Sequence, residues 1–157
     1  MNTIYFDYSI RMASDIKKID SETFKDCNYT EEEIIKKIPK DNYKIILAYE
    51  EDKAVGYIGL LEVQNLHYHG IWVDLVGVIP SFQRKNVGKI LMAEAEKYSE
   101  EKGITMMSGL VRTSNESSIE LFKNRGYEAV ASPYYLFLKW LVFLHPMVET
   151  KLFISYN

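Results

Sequence analysis

Cysteine occurs once in the 157 residues, at Cys27, so no disulfide can form within the chain. That scarcity fits a reducing, cytoplasmic setting, and nothing around Cys27 marks it as a reactive thiol. Proline and glycine are also sparse, four and eight residues, and no Gly-, Ser- or Pro-rich linker divides the chain. No internal repeat is present. A single domain over 1–157 is therefore expected. Long hydrophobic runs are missing: the longest, Tyr134 to Leu144, is broken by Lys139 and too short to span a bilayer. The opening MNTIYFDYSIRM lacks the basic-then-apolar order of a signal peptide. Surplus positive charge is lacking too. The net charge of -3 argues against nucleic acid or an anionic membrane as the partner, and suits a cationic amine.

What is present is ample core material. Hydrophobic residues make up 47% of the chain, with seven Phe, twelve Tyr and two Trp, so a folded core rather than disorder is expected. Tyr5–Met12, with alternating Tyr8, Ile10 and Met12, reads as a strand, and Ile16–Lys25 as a short helix. Thr30 and Glu33 have the spacing of a capping box; Ile34, Ile35 and Ile38 supply a buried face, and Pro39 ends the helix. Strand-like runs follow at Tyr43–Tyr49, Ala54–Val63 and about Ile71–Ile79, with turns at 50–53 and 64–70. Val87–Lys102 is the clearest helix: Val87, Ile90, Leu91, Ala95 and Tyr98 share one face, and Gly103 stands at its C-terminal cap. A strand at Ile104–Val111, a helix at Glu116–Arg125 and strands at Tyr127–Ala131 and Tyr135–Leu141 complete the expected order. Residues 142–157 read as either an extra strand or a partner contact such as a homodimer interface. The class is α/β, a mixed sheet with helices between strands, and the crossover from Asp74 to Val111 should be right-handed.

Chemistry concentrates between Val76 and Lys89. An apolar strand, Val76-Gly77-Val78-Ile79, ends at Pro80; a basic, turn-prone loop follows, and the strong helix begins within it. Unpaired N–H groups at a helix start form an anion site. Gly88 would let a phosphate approach the backbone, and Arg84, Lys85 and Lys89 add positive charge. The ligand this favours is a diphosphate, against the plainer alternative of a strand-to-helix turn with surface cations. Neither the P-loop nor the dinucleotide glycine pattern is present.

Val78-x-Pro80-x-x-Gln83-Arg84-x-Asn86-x-Gly88 resembles the acyl-CoA-binding signature of the GNAT superfamily, Gln/Arg-x-x-Gly-x-Gly/Ala after a strand. A second block, Val111-Arg112-Thr113-Ser114-Asn115 through Phe122 to Gly126-Tyr127, resembles the family's later strand, cofactor-contacting Asn and helix ending in Gly-Phe/Tyr. The element order fits the family from about Tyr8 to Leu141, the N-terminal third in pattern only. The resemblance implies a GNAT-like fold and an N-acetyltransferase that uses acetyl-CoA, with no metal. It implies that Val76, Gly77 and Val78 receive the pantetheine arm along their backbone. The N–H groups of Arg84, Lys85, Asn86, Val87, Gly88 and Lys89 would hold the pyrophosphate, and Asn115 would bond the cofactor from the other side. Asn86 replaces the first signature glycine, and Asn tolerates a left-handed backbone better than other non-glycine residues. Phe122 stands where many relatives carry a thiolate-protonating Tyr. That leaves another group, water or Tyr127 as the acid, or departure of an unassisted thiolate.

A base must take a proton from the attacking amine. Asp74, two residues before Val76 on an otherwise apolar strand, is the first candidate, and strict alternation would put it on the side of Val76 and Val78. A satisfied structural Asp is the alternative. Glu62 is a second choice. His67 and His69 read as a hairpin turn before Gly70, with no Cys or acid at ligand spacing for a metal. Tyr134 and Tyr135 border either the core or a substrate pocket. The expected activity is direct acetyl transfer to a primary amine, with the oxyanion held by a backbone N–H near Val78. A small-molecule amine is favoured over a protein N-terminus or lysine, and a non-catalytic acyl-CoA-binding module is the competing class.

Overall fold

Alternating apolar residues in the middle of the chain fold as three long antiparallel strands, and the other elements pack around them. The computed structural model describes residues 1–24 and 28–130. In chain order these form β1 (Asn2–Tyr5), α1 (Ile10–Thr23), α2 (Glu31–Lys37), β2 (Tyr43–Glu50), β3 (Lys53–Gln64), β4 (His69–Val78), α3 (Val87–Glu101), β5 (Met107–Gly109) and α4 (Glu116–Asn124). A 3-10 turn, Pro80–Phe82, precedes α3. The sheet order is β1-β2-β3-β4-β5; pairs are antiparallel up to β4, and β5 joins β4 in parallel after the crossover through α3. This is the mixed α/β sheet that the element order predicts.

The N-terminal expectation needs correcting. The strand stops at Tyr5, and residues 10–12 already belong to a helix. Tyr8 turns the chain with φ 63°, and Ser9 caps a helix by accepting the Met12 N–H at 3.3 Å. Met12, Ala13, Ile16 and Ile19 then form one buried helical stripe, so the apparent alternation of Tyr8, Ile10 and Met12 hides a period of 3.6. The helix expected from Ile16 begins six residues earlier, at Ile10. The α2 start follows the sequence: Thr30 accepts from the Glu33 N–H at 3.2 Å, and the Glu33 carboxylate accepts from the Thr30 N–H at 2.9 Å.

Two late strands also differ. The strand expected over Ile104–Val111 is only Met107–Gly109, because the Ile104 N–H is taken by the Ser99 carbonyl in the cap that ends α3. Residues 127–130 join no strand among the described residues, and 128–130 are exposed. The expected strand at Tyr135–Leu141, the tail 142–157, Cys27, Tyr134 and Tyr135 lie outside the described residues.

Helices cover both faces of the sheet. A Cβ on Gly56 would strike the Val87 side chain of α3, whereas one on Gly77, which faces the opposite side, would strike Phe24 just past α1. On the α3 side, Val87, Leu91, Met92, Ala95 and Tyr98 pack against the sheet with Ile46, Ile58 and Leu60. Each fully buried aliphatic side chain contributes roughly 1.5–3 kcal/mol. This core fixes where β4 and the start of α3 lie.

Candidate active site

β4 changes character at Asp74. Leu60 opposes Val73 and Gly59 opposes Leu75, so Asp74 is the extra residue of a β-bulge. On the other edge, β5 pairs with Ile71, Trp72 and Val73 and no further. Among the described residues the strand from Asp74 to Val78 is therefore paired to β3 alone, which leaves its outer backbone edge open there to a guest strand-like group. The bulge also overturns the side assignment made from alternation. Val78 lies beside the position of a Gly56 Cβ, on the α3 face, and Val76 shares that parity. Asp74 instead turns to the α1 and α2 face, where it meets Tyr43, whose hydroxyl sits where a Gly59 Cβ would be.

The loop beyond β4 is shaped by two left-handed residues. Arg84 has φ 61° and Asn86 φ 65°, the conformation that Asn was expected to tolerate in the glycine's place. Asn86 makes no side-chain cap. Among the described residues no backbone carbonyl accepts from the N–H groups of Arg84, Lys85, Asn86, Val87, Gly88 or Lys89; the first bond of α3 is Ile90 N–H to the Asn86 carbonyl. Arg84, Lys85 and Lys89 are exposed around this run of donors, and the Lys85 ammonium lies 4.7 Å from the Phe82 ring centroid. Gln83 anchors the loop by donating its side-chain amide to the Val78 carbonyl at 3.0 Å, a bond that its place in the signature did not announce. Gly88 has a second reason to lack a side chain: a Cβ there would stand 3.2 Å from Leu121 of α4.

On the opposite face, α1, α2 and the sheet enclose a groove of about 380 Å³ that includes Asp20, Tyr29, Ile34, Tyr43, Tyr57 and Asp74. Two carboxylates enter it, each with a tyrosine. Tyr43 donates to Asp74 Oδ2 at 2.7 Å, and Tyr57 donates to Asp20 Oδ1 at 2.6 Å. Burial, then the bond to Asp74, pushes the Tyr43 phenol far above its usual range, so it remains a donor. Burial also raises the Asp20 carboxyl, with the Tyr57 hydrogen bond acting against the shift. Tyr43, Tyr57 and Asp20 escaped the sequence reading. Their signal there is only that of ordinary strand and helix residues.

The other candidates sit elsewhere. Glu62 bonds His69 at 3.1 Å and Lys102 at 3.3 Å; the His69 bond first, and Lys102 as well, hold its carboxyl below the usual range. It is a committed anion at the far end of the β3–β4 hairpin. Asn65 closes that hairpin by accepting from the His67 N–H at 2.9 Å. Among the described residues no cluster of three His, Cys, Asp or Glu side chains is arranged to hold a metal. Tyr127 donates to Met107 Sδ at 3.4 Å and stacks edge-on to Phe122 at 5.0 Å, while burial and then the Glu96 charge push its phenol up to about 12. Asn115 caps α4 by accepting from the Ser118 N–H at 3.1 Å.

This combination of a split strand, a donor-rich loop and a helix behind it agrees with a family match. The model of the acetyltransferase (GNAT) family matches residues 10–127. The chain belongs to the GNAT family. Its fold is also that of solved GNAT structures. A soil-metagenome aminoglycoside acetyltransferase, in complex with sisomicin, superposes with a TM-score of 0.75 at 16% identity, over 88% of this chain and 96% of that one. A ribosomal-protein-alanine N-acetyltransferase from Brucella melitensis gives 0.73 at 13% identity, over 88% and 100%. An aminoglycoside N-acetyltransferase in complex with CoA gives 0.72 at 14%, over 90% and 95%. None of the curated protein sequences matches the chain. GNAT enzymes take their acetyl group from acetyl-CoA, and this GNAT chain is an N-acetyltransferase. No helix among its described residues is long and apolar enough to cross a membrane.

Proposed function

We propose that this GNAT enzyme acetylates a primary amine of a small cationic molecule held in the groove between α1, α2 and β4, with Asp74 as the proton acceptor. The observation that carries the reading is the Asp74 bulge, which puts a carboxylate on the groove side just where β4 parts from β5. Among the described residues Val76, Gly77 and Val78 keep an open edge that suits a pantetheine arm, and the six N–H groups from Arg84 to Lys89, which meet no backbone acceptor there, suit a pyrophosphate. Asn115 offers its side-chain amide from α4. Bound there, acetyl-CoA supplies an activated acyl carbon.

The amine must lose a proton to attack. Tyr43, kept protonated, holds one oxygen of Asp74 and leaves the other for the ammonium of the acceptor. Nitrogen then bonds to the acyl carbon, a backbone N–H near Val78 steadies the oxyanion, the carbon–sulfur bond breaks to release the CoA thiolate, and the nitrogen's second proton passes to solvent. Glu62 is already engaged by His69 and Lys102, which weakens its claim as a base. Tyr127 points its hydroxyl at Met107 sulfur, and Phe122 carries none, so we assign the thiolate's proton to water.

An acceptor panel tests the reading: free thiol should appear when acetyl-CoA is mixed with the enzyme and small primary amines. Asp74→Asn should lower kcat on the order of 10²-fold or more while leaving CoA affinity unchanged. Equal turnover in the variant would remove Asp74 from the mechanism. CoA binding without thiol release from any small amine, peptide amine or protein would favour a non-catalytic binding module.

A further inference from the structure

Asp20 has no task in the reaction just described, yet it enters the same groove. It lies on α1, half buried, and lines the cavity together with Asp74. Among the described residues its carboxylate has one hydrogen-bonding partner, the neutral phenol of Tyr57. No cationic side chain among the described residues pairs with it. Lys37 is the lysine of the groove lining, and its ammonium lies over the Tyr29 ring, 4.2 Å from the centroid, in no ion pair with either carboxylate. A partly buried carboxylate without a countercharge is costly, and burial does hold the acid form of Asp20 in favour. The fold keeps the group where a bound cation would offset that cost.

The two carboxylates share surroundings. The Tyr43 hydroxyl that bonds Asp74 also feels the charge of Asp20. Between and around them the wall is aliphatic, formed by Ile16, Ile34, Ile38, Ile45 and Leu75. Such a wall suits methylene groups and offers nothing to a phosphate or carboxylate. We infer that Asp20 is a specificity residue that binds a second ammonium group of the acceptor, so that the preferred substrate is a diamine or higher polyamine. The inference rests on the amine-transfer reading for its chemistry. Asp74 receives the amine that reacts, and Asp20 holds the amine that does not.

The test uses the full chain and linear diamines set against monoamines of equal length. Wild-type KM should be about tenfold lower for the best diamine than for its monoamine, the size of one charge-assisted contact. Asp20→Asn should raise KM for the diamine about tenfold, to that of the monoamine, and so erase the preference; a merely structural Asp20 would alter both amines alike. Equal KM for the two amines in the wild type, or an undiminished preference in the variant, would overturn the inference. Calorimetric titration of the diamine into CoA-loaded protein reads the subsite without turnover. Binding that Asp20→Asn weakens by a similar factor supports it, and absent or unchanged binding refutes it. If diamines and monoamines are acetylated equally well, amine transfer stands and the Asp20 subsite falls. If diamine binding depends on Asp20 but no amine is acetylated, the subsite stands and the transfer reading falls.

Discussion

At the scale of the residue, the groove pairs acids with phenols for two different ends. The Tyr43 bond to Asp74 orients a carboxylate that remains exposed, whereas the Tyr57 bond supports one that is partly buried. Burial raises the Asp20 carboxyl above its unfolded value of about 3.9. The folded state therefore gains from protonated Asp20 below that value, and the gain is lost as pH rises through the higher folded pKa. Asp20→Asn is neutral at every pH. It is expected to melt above the wild type at neutral pH, with the gap closing below about pH 4, as thermal denaturation across pH would show. A variant that melts lower at neutral pH would mean that Asp20 has a cationic partner in the free protein. Stability given up for a binding group is a common cost of function.

At the scale of the element, the turn into α3 is the most demanding piece of backbone. Arg84 and Asn86 both hold left-handed conformations, and six N–H groups of the turn meet no backbone acceptor among the described residues. Asn86→Val should cost roughly 1–2 kcal/mol in urea denaturation and weaken CoA binding. Asn86→Gly, which restores the signature residue, should be neutral or mildly stabilising in both measurements. A Val variant as stable as the wild type would mean that the loop relaxes to another shape. The helices around this turn were legible where local chemistry is decisive: Thr30 and Glu33 announce the α2 cap, and Asn115 sits at the start of α4. The N-terminal strand was misread because Tyr8, Ile10 and Met12 fit a period of two over too short a window, and Ser9 is the cap that the pattern conceals.

Across the whole molecule, the α3 face and the α1–α2 face divide the labour. The first carries the open strand edge, the donor loop and α4, bound to α3 through the Arg125–Glu96 ion pair; the second carries the groove proposed for the acceptor. The bulge in β4 lets one strand serve both, with Val76 and Val78 facing one way and Asp74 the other. A ligand that spans the open edge and the loop should stabilise the fold as a unit. CoA at about a hundred times its dissociation constant should add roughly 2.7 kcal/mol, a rise in Tm of about 5–10 °C for a chain of this size. No rise at saturating CoA would count against the loop and strand edge as its site.

The sequence by itself determined the family signature, the strand–loop–helix that bears it, and Asp74 as the carboxylate to watch. These are short-range features: a turn that needs a left-handed Asn, a helix with an apolar face, an acid alone on an apolar strand. Only the tertiary structure decided which side of the sheet Asp74 faces and what stands beside it. One unpaired residue in a ladder reverses the side, and no local pattern records it. The partners that define the groove lie far off in the chain, 31 residues between Tyr43 and Asp74 and 37 between Asp20 and Tyr57. Folding brings them within hydrogen-bond reach because α1 and β2–β4 share one core, and that shared burial gathers separate tyrosines and acids into one groove.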